Sequence, residues 1–302
     1  MKILITGATG FVGTKLCKKL ETDGHQLVIL SRTPHSAKER LKLKSATYIE
    51  WSNYFETPDL GSQTDIEGVI HLMGENIGDK RWSDEQKKTL YSSRINSANS
   101  ILSALTQNNI NLKFFITASA IGIYPTNTNE ILTENSKTGD GFLAKLCIDW
   151  ENAINQLPNT VRKVYVRTGV VLDQNGGALK KMLLPFKMGV GGIIGNGKQM
   201  MSWIHRDDIV NLYAEAVTNT NFQGAINACS PNPVSNLQFT KALGNALHRP
   251  TIFPVPELAL KVMFGEMSSI ILDSQAVKSD KLAGLGFQFK FPKIEEALIH
   301  SV

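Results

Sequence analysis

The first thirteen residues, MKILITGATGFVG, constrain the fold of this chain more than any other stretch. Lys2 to Thr6 is a short β-rich run that passes without a break into Gly7-Ala8-Thr9-Gly10-Phe11-Val12-Gly13, and Thr14 to Leu20 then reads as helix. A Cβ at these glycines would block the chain reversal, hold a pyrophosphate off the backbone N–H groups, or keep helix and strand apart. The start of the helix offers unpaired N–H donors and the positive end of its dipole, so the turn favours a diphosphate before any side chain is counted. The pattern is G-x-x-G-x-x-G rather than G-x-G-x-x-G, and its weight comes from context. A second apolar strand, Gln26 to Leu30, follows at βαβ distance. The bland alternative is a glycine-rich connection in some other α/β domain.

Ser31-Arg32-Thr33-Pro34 closes that second strand. Dinucleotide sites that take NAD place an acid here for the ribose 2′-OH, whereas an arginine fork suits a 2′-phosphate. One charge-assisted hydrogen bond contributes about 1.5–3 kcal/mol, so Arg32 with no acid beside it predicts a preference for NADP. A plain surface arginine is the competing explanation.

At 302 residues the chain is long enough for one large domain or two unequal ones with a sizeable core. The net charge of +5 is mild, and basic residues alternate with acidic ones, which argues against nucleic acid as a partner. Arg32, Lys38, Arg40, Lys42 and Lys44 cluster locally and read as a solvated helix face. Cys17, Cys147 and Cys229 are far apart and lack metal-ligand spacing, so neither a disulfide nor a metal site is expected. The first residues already form a core strand and no apolar run reaches membrane-spanning length, so the expectation is a cytoplasmic protein without membrane contact.

Ala46 to Trp51 reads as a third strand and Gly68 to Gly74 as a fourth. In a doubly wound parallel sheet ligands lie beyond the carboxyl ends of the strands, which places Leu72, Met73, Gly74 and Glu75 at the cofactor crevice. His71, inside that strand, reads as a hydrogen-bonded core histidine. The loop Glu75 to Trp82 is polar yet carries an aromatic, and Ser83 is positioned to cap a helix running to Leu105. Ser93 and Arg94 lie in a polar stretch of that helix, facing either solvent or the ligand. A fifth strand from Lys113 runs through Thr117 and Ser119 toward Gly122 and Tyr124.

A strand end with a hydroxyl, followed by glycine and tyrosine, resembles the extended short-chain dehydrogenase/reductase superfamily of nucleotide-sugar epimerases and dehydratases. The resemblance implies a Rossmann-type α/β fold with a smaller C-terminal α+β substrate domain, and a Ser or Thr at this strand end paired with Tyr-x-x-x-Lys on the next helix. That pair is missing. With the register anchored on Glu151, Leu143 stands at the tyrosine position and Cys147 at the lysine position, while Phe142 and Lys145 project from other faces. Only Ser119 keeps its place.

Val164 to Leu172 reads as a sixth strand, ending a cofactor domain over residues 1–172 to which a segment near 205–228 returns; residues 173–302 then form the substrate domain. The glycine-dense stretch Met188 to Gly197 lacks the Lys-Ser/Thr of a phosphate loop and reads as a flexible turn or hairpin between domains. In Ser202-Trp203-Ile204-His205-Arg206-Asp207-Asp208, an aspartate is expected to cap the helix from Ile209 to Val217, and His205 either contacts ligand or caps and packs. A further helix is read over Asn236 to Leu247. GENI with RW, SWIHRDD, NPVSN, GEMS and GFxFxFP together resemble one branch of the superfamily, epimerase-like proteins of unassigned substrate, some labelled as cell-division inhibitors.

The resulting expectation is an NADP-dependent oxidoreductase or epimerase-like enzyme acting on a small polar molecule, with an NADP(H)-binding regulatory protein without turnover as the alternative. Ser119 and Tyr124 are the candidate catalytic groups, with Glu75 as a further acid/base candidate. Gly7, Thr9, Gly10, Phe11, Val12, Gly13, Ser31, Arg32, Thr33, Leu72, Met73, Gly74, Glu75, Arg94 and Thr117 are the candidate cofactor contacts. Trp82, Arg167, Trp203 and His205 are the candidate substrate contacts. The resemblance also implies a homodimer through the helices at Ser83–Leu105 and Phe142–Gln156.

Overall fold

The computed structural model describes all 302 residues. Its first half alternates strand and helix: β1 (Lys2–Thr6), α1 (Gly13–Thr22), β2 (Gln26–Ser31), α2 (Pro34–Leu41), β3 (Thr47–Glu50), β4 (Gly68–His71), α3 (Asp84–Gln107), β5 (Phe114–Ala120), β6 (Ile131–Leu132), α4 (Phe142–Ala153) and β7 (Arg162–Thr168). The second half is more irregular. It comprises β8 (Val170–Leu172), α5 (Gly177–Lys187), β9 (Met200–Met201), β10 (Trp203–His205), α6 (Arg206–Thr218), β11 (Gly224–Ala228), β12 (Val234–Ser235) and α7 (Asn236–Ala246), followed by α8 (Glu257–Phe264), α9 (Ser269–Leu272), β13 (Ala276–Val277), α10 (Asp280–Gly284) and α11 (Ile294–Ser301).

Seven strands form one sheet in the order β3-β2-β1-β4-β5-β7-β11, and every pair in it is parallel. Strand order reverses between β1 and β4, so the crevice beyond their carboxyl ends is where the glycine turn meets Leu72. Alternating side chains reach opposite layers. Ile3 and Ile5 join the core formed with α1 and α6, whereas Leu4 joins the one formed with α3. With both faces covered, β1, β2, β4 and the first half of β5 are near-continuous apolar runs, which is why they are legible in the sequence.

The sixth strand is two strands. Gly169 breaks it: a Cβ there would lie 2.8 Å from the Ser202 carbonyl oxygen and 2.9 Å from Cys229 Sγ, so the chain can pass between them only as glycine. Beyond it β8 leaves the sheet and pairs with β10, while β11 takes the sheet edge beside β7. A third core gathers Leu172, Leu179, Leu183, Trp203, Phe239, Leu243 and Leu298. The glycine-dense stretch is a loop packed along the chain at Val255: the Val255 N–H donates to Ile193 O and the Gly195 N–H to Val255 O.

Helix starts follow side-chain caps. Ser83 accepts from the Gln86 N–H, as its sequence position predicts, and Ser235 with Gln238 forms a capping box on α7. At α6 the expectation fails. The cap is His205, whose Nδ1 accepts from the Asp207 N–H, because Asp208 is occupied with the N–H groups of Lys290 and Phe291 and Asp207 with Lys15 and Lys290. No helix is long and apolar enough to cross a membrane.

Candidate functional site

The glycine turn closes by contact of backbone on backbone. Gly7 has φ 68°, and a Cβ on it would lie 2.7 Å from the Leu72 carbonyl carbon; one on Gly13 would lie 2.3 Å from Gly7 O. Nothing larger than glycine fits at either place, so the turn leaves a cradle of backbone at the start of α1. Thr9 and Val12 are half-buried and Gly10 is exposed at its rim. Phe11 is not a cofactor contact by its side chain: the ring fills the space above Gly176, where a Cβ would come within 2.4 Å of it, and the Arg206 guanidinium lies 4.8 Å from its centroid. Arg206 also donates to Thr14 Oγ1 at 2.9 Å, so the start of α6 props the turn from behind. At the end of β2, Ser31 Oγ accepts from the Thr33 N–H at 3.3 Å, and Arg32 is exposed beside it with its guanidinium unpaired.

At the end of β4 the polar groups hold backbone. His71 is fully buried between Thr6 Oγ1 at 2.7 Å and Ser97 Oγ at 3.1 Å, and burial pushes its pKa down to about 4, so it is a neutral core group. Ser93 and Arg94 are turned away from solvent and hold backbone. Ser93 Oγ accepts from the Glu75 N–H at 3.0 Å; Arg94 donates to Glu75 O and Leu90 O, both at 2.9 Å, with its guanidinium over the Trp150 ring. A Cβ on Gly74 would lie 3.0 Å from Arg94 Cζ, so Arg94, expected as a cofactor contact, is the floor on which Gly74 and Glu75 rest. Thr117 is likewise buried, its hydroxyl turned to Ala118 O.

The end of β5 joins a buried ionic network. Ser119 donates to Glu151 Oε1 at 2.7 Å; Arg167 on β7 donates from Nε to the same oxygen and from Nη2 to Oε2, both at 2.8 Å. Its Nη1 donates to the Tyr124 hydroxyl at 2.8 Å, which in turn donates to Asn227 Oδ1 at 2.7 Å. Tyr124 is 1% exposed and burial raises its pKa, so it is a fixed member of this network and not the acid/base expected of it. Arg167 is corrected in the same way, its guanidinium being spent on Glu151 and Tyr124. Trp203 is fully buried in the third core with its indole N–H on Asn232 O, and His205 is 1% exposed as a cap, so neither can touch a substrate. Trp82 stays half-exposed, edge-on to Phe142 at 5.4 Å. Its loop is strapped across the molecule: Lys181 on α5 donates to Gly78 O and Asp79, Arg81 to Val262 O on α8, and Lys87 pairs with Glu266.

The model of the NAD dependent epimerase/dehydratase family matches residues 3–229, and that of a domain of unknown function (DUF1731) matches residues 255–301. The chain belongs to the NAD dependent epimerase/dehydratase family. An epimerase family protein from Arabidopsis thaliana, the chloroplastic SDR39U1 homolog, is 36% identical over 99% of this chain and 86% of its own length. The epimerase family protein YfhF of Bacillus subtilis is 37% identical over 99% of this chain and 97% of its own. Among solved structures, human epimerase family protein SDR39U1 with NADPH superposes with a TM-score of 0.89 at 30% identity, covering 100% of this chain and 99% of that one.

Against the superfamily pattern, α4 is where this epimerase-family chain departs. The helix turns Leu143, Cys147 and Glu151, one turn apart each, toward β5: Leu143 lies against Gly122, whose Cβ would come 3.3 Å from its own, Cys147 is buried in the cluster around Tyr124, and Glu151 holds Ser119. Burial pushes the Cys147 thiol up to about 12, so it is neither thiolate nor useful acid. Lys145 is exposed on another face. Sequence reasoning used Glu151 only as a register mark; its position two turns beyond Leu143 on the same face, opposite an arginine in a buried strand, is the signal that identifies it. Asn227 and Glu134, which accepts from the Asn227 N–H and from Ser279, carry no such signal.

Proposed function

We propose that this chain binds NADP(H) and acts on a small molecule as an oxidoreductase or epimerase-like enzyme. The observation that carries this is the glycine turn, where Gly7 and Gly13 have no room for a Cβ and leave a backbone cradle at a helix start, followed at the end of β2 by an arginine without a partner. The human relative crystallised with NADPH supports the same reading. Residues 1–172 with 205–228 hold the cofactor in this scheme, and 173–302 cover the substrate. Gly7 to Gly13 receive the diphosphate, Ser31, Arg32 and Thr33 the 2′-phosphate, and the backbone of Leu72 to Glu75, resting on Arg94, borders the adjoining ribose side. NADP(H), when bound, supplies hydride chemistry. The protein's part is to bind and orient, and Ser119, buried and donating to Glu151, fixes the end of β5 beside the crevice. A homodimer through α3 and α4 belongs to the same scheme, and sedimentation velocity tests it.

Leu143 and Cys147 at the family's Tyr and Lys positions favour a second reading, an NADP(H)-binding regulator without turnover. Calorimetric titration with NADPH and NADH, followed by NADPH oxidation assays over several carbonyl classes, separates the two. Tight NADPH binding with turnover establishes the enzyme; tight binding without it establishes the regulator; failure to bind either nucleotide refutes both.

A further inference from the structure

The part of the crevice where a proton would be exchanged is walled by carbon. Leu143 lies against Gly122, Phe142 packs on Trp82, and Leu72, Met73 and Ile121 are half-exposed at the ends of β4 and β5. The polar hydrogens behind this wall are committed. Ser119 gives its proton to Glu151, Glu151 is saturated by Arg167, Tyr124 gives its proton to Asn227, and Lys145 stands on another face of α4. Burial pushes the Cys147 thiol up to about 12, and the two charged side chains that border the wall are paired, Lys87 with Glu266 at 2.6 Å beside the Phe142 ring and Glu75 with Lys80 at 4.0 Å.

Resting on the reading of this crevice as an NADP(H) site, we propose that its second ligand is a flat conjugated acceptor of the quinone class, reduced without a proton from the protein. The small polar substrate expected from sequence does not match these walls. Reducing an aliphatic ketone creates an alkoxide about as basic as hydroxide, and a positioned acid then contributes about 10²–10⁴-fold in rate. Reducing a quinone creates a phenolate-like oxygen that titrates near about 10, as tyrosine does, and can leave the site as the anion. The acceptor takes a hydride, two electrons and one proton, from the reduced nicotinamide and its second proton from water: quinone + NADPH + H⁺ gives hydroquinone + NADP⁺. Half-exposed Trp82, edge-on to a Phe142 ring whose face carries the Lys87 ammonium at 5.2 Å, offers such a ring an aromatic neighbour, and Leu143 the apolar floor.

The test uses the purified full chain. NADPH binding is measured first by calorimetry without acceptor, so that failure of the underlying reading shows by itself. NADPH oxidation is then compared for a soluble naphthoquinone, cyclohexanone and a UDP-sugar, and naphthoquinone binding to the NADP⁺-loaded protein is followed by quenching of tryptophan fluorescence. The expected result is a kcat/KM for quinone at least about 10²-fold above that for ketone, with a solvent isotope effect near unity. Saturable quenching is also expected, at least tenfold weaker in Leu143→Asp. Leu143→Tyr, which returns a phenol to the family position, is expected to raise ketone turnover about tenfold or more. Ketone or sugar turnover equal to that of quinone in the wild type, or NADPH binding with no quinone binding or turnover, overturns the proposal. Absence of NADPH binding removes both it and the reading beneath it.

Discussion

Removing Glu151 should strongly destabilise the protein, and the structure gives the size. Its side chain is 11% exposed and that of Arg167 is 10% exposed, with two direct charge-assisted bonds between them and a third to Glu151 from Ser119. In Glu151→Leu the guanidinium stays buried with only Tyr124 to receive it, and stranding one partner of a buried pair costs about 3–5 kcal/mol. Arg167→Met strands the carboxylate at a similar cost, although Ser119 still donates to it. The double variant removes both charges and leaves Tyr124 bonded to Asn227, so it should be destabilised by much less than the sum, with a coupling of about 2–3 kcal/mol. Urea denaturation of the wild type, both single variants and the double variant gives this coupling directly, provided the denaturant slope is the same in all four. Additivity within about 0.5 kcal/mol would show that the pair is solvated and that the network does not hold β5, β7 and α4 together.

Arg32→Ala should weaken NADPH binding by about ten- to a hundredfold and leave NADH nearly unchanged, read by calorimetry; an unaltered preference would move 2′-phosphate recognition elsewhere. Gly13→Ala forces its methyl to within 2.3 Å of Gly7 O and should cost about 1–3 kcal/mol in stability together with nucleotide binding, whereas Gly141→Ala, with nothing within 4 Å, should leave stability unchanged in the same thermal melts. His71 is held at about 4 against an ordinary 6.5 because charging it would bury a cation, so the unfolded chain binds the proton first. Its contribution is complete above about pH 6.5 and declines as pH falls toward 4, by up to about 3 kcal/mol, and a urea midpoint that stays flat from pH 7 to 4.5 would contradict it. Ser235→Ala breaks the capping box of α7 and should lower stability by about 1 kcal/mol, with Ser235→Thr restoring most of it.

The features legible in the amino-acid sequence are local and periodic. The first strand, its glycine turn and the following helix are contiguous, and so are the apolar runs of the parallel strands, the Ser83 cap and the α4 register that puts Leu143 and Cys147 where the family has Tyr and Lys. Each of these depends on residues within a turn or two of one another, and the geometry of helix and strand converts such spacing into position directly. The fate of the polar side chains, in contrast, depends on long-range packing. Ser119 meets Glu151 from 32 residues away and Tyr124 meets Asn227 from 103, and no spacing rule links them. The same holds for Phe11 on Gly176, Arg94 under Gly74 and Arg206 on Thr14. A buried polar group must find its partner or leave the core. The fold, not the neighbouring sequence, chose that partner, and it set Tyr124, read from the sequence as a catalytic group, and Arg167 and Arg94, read as ligand contacts, into buried bonds behind the crevice.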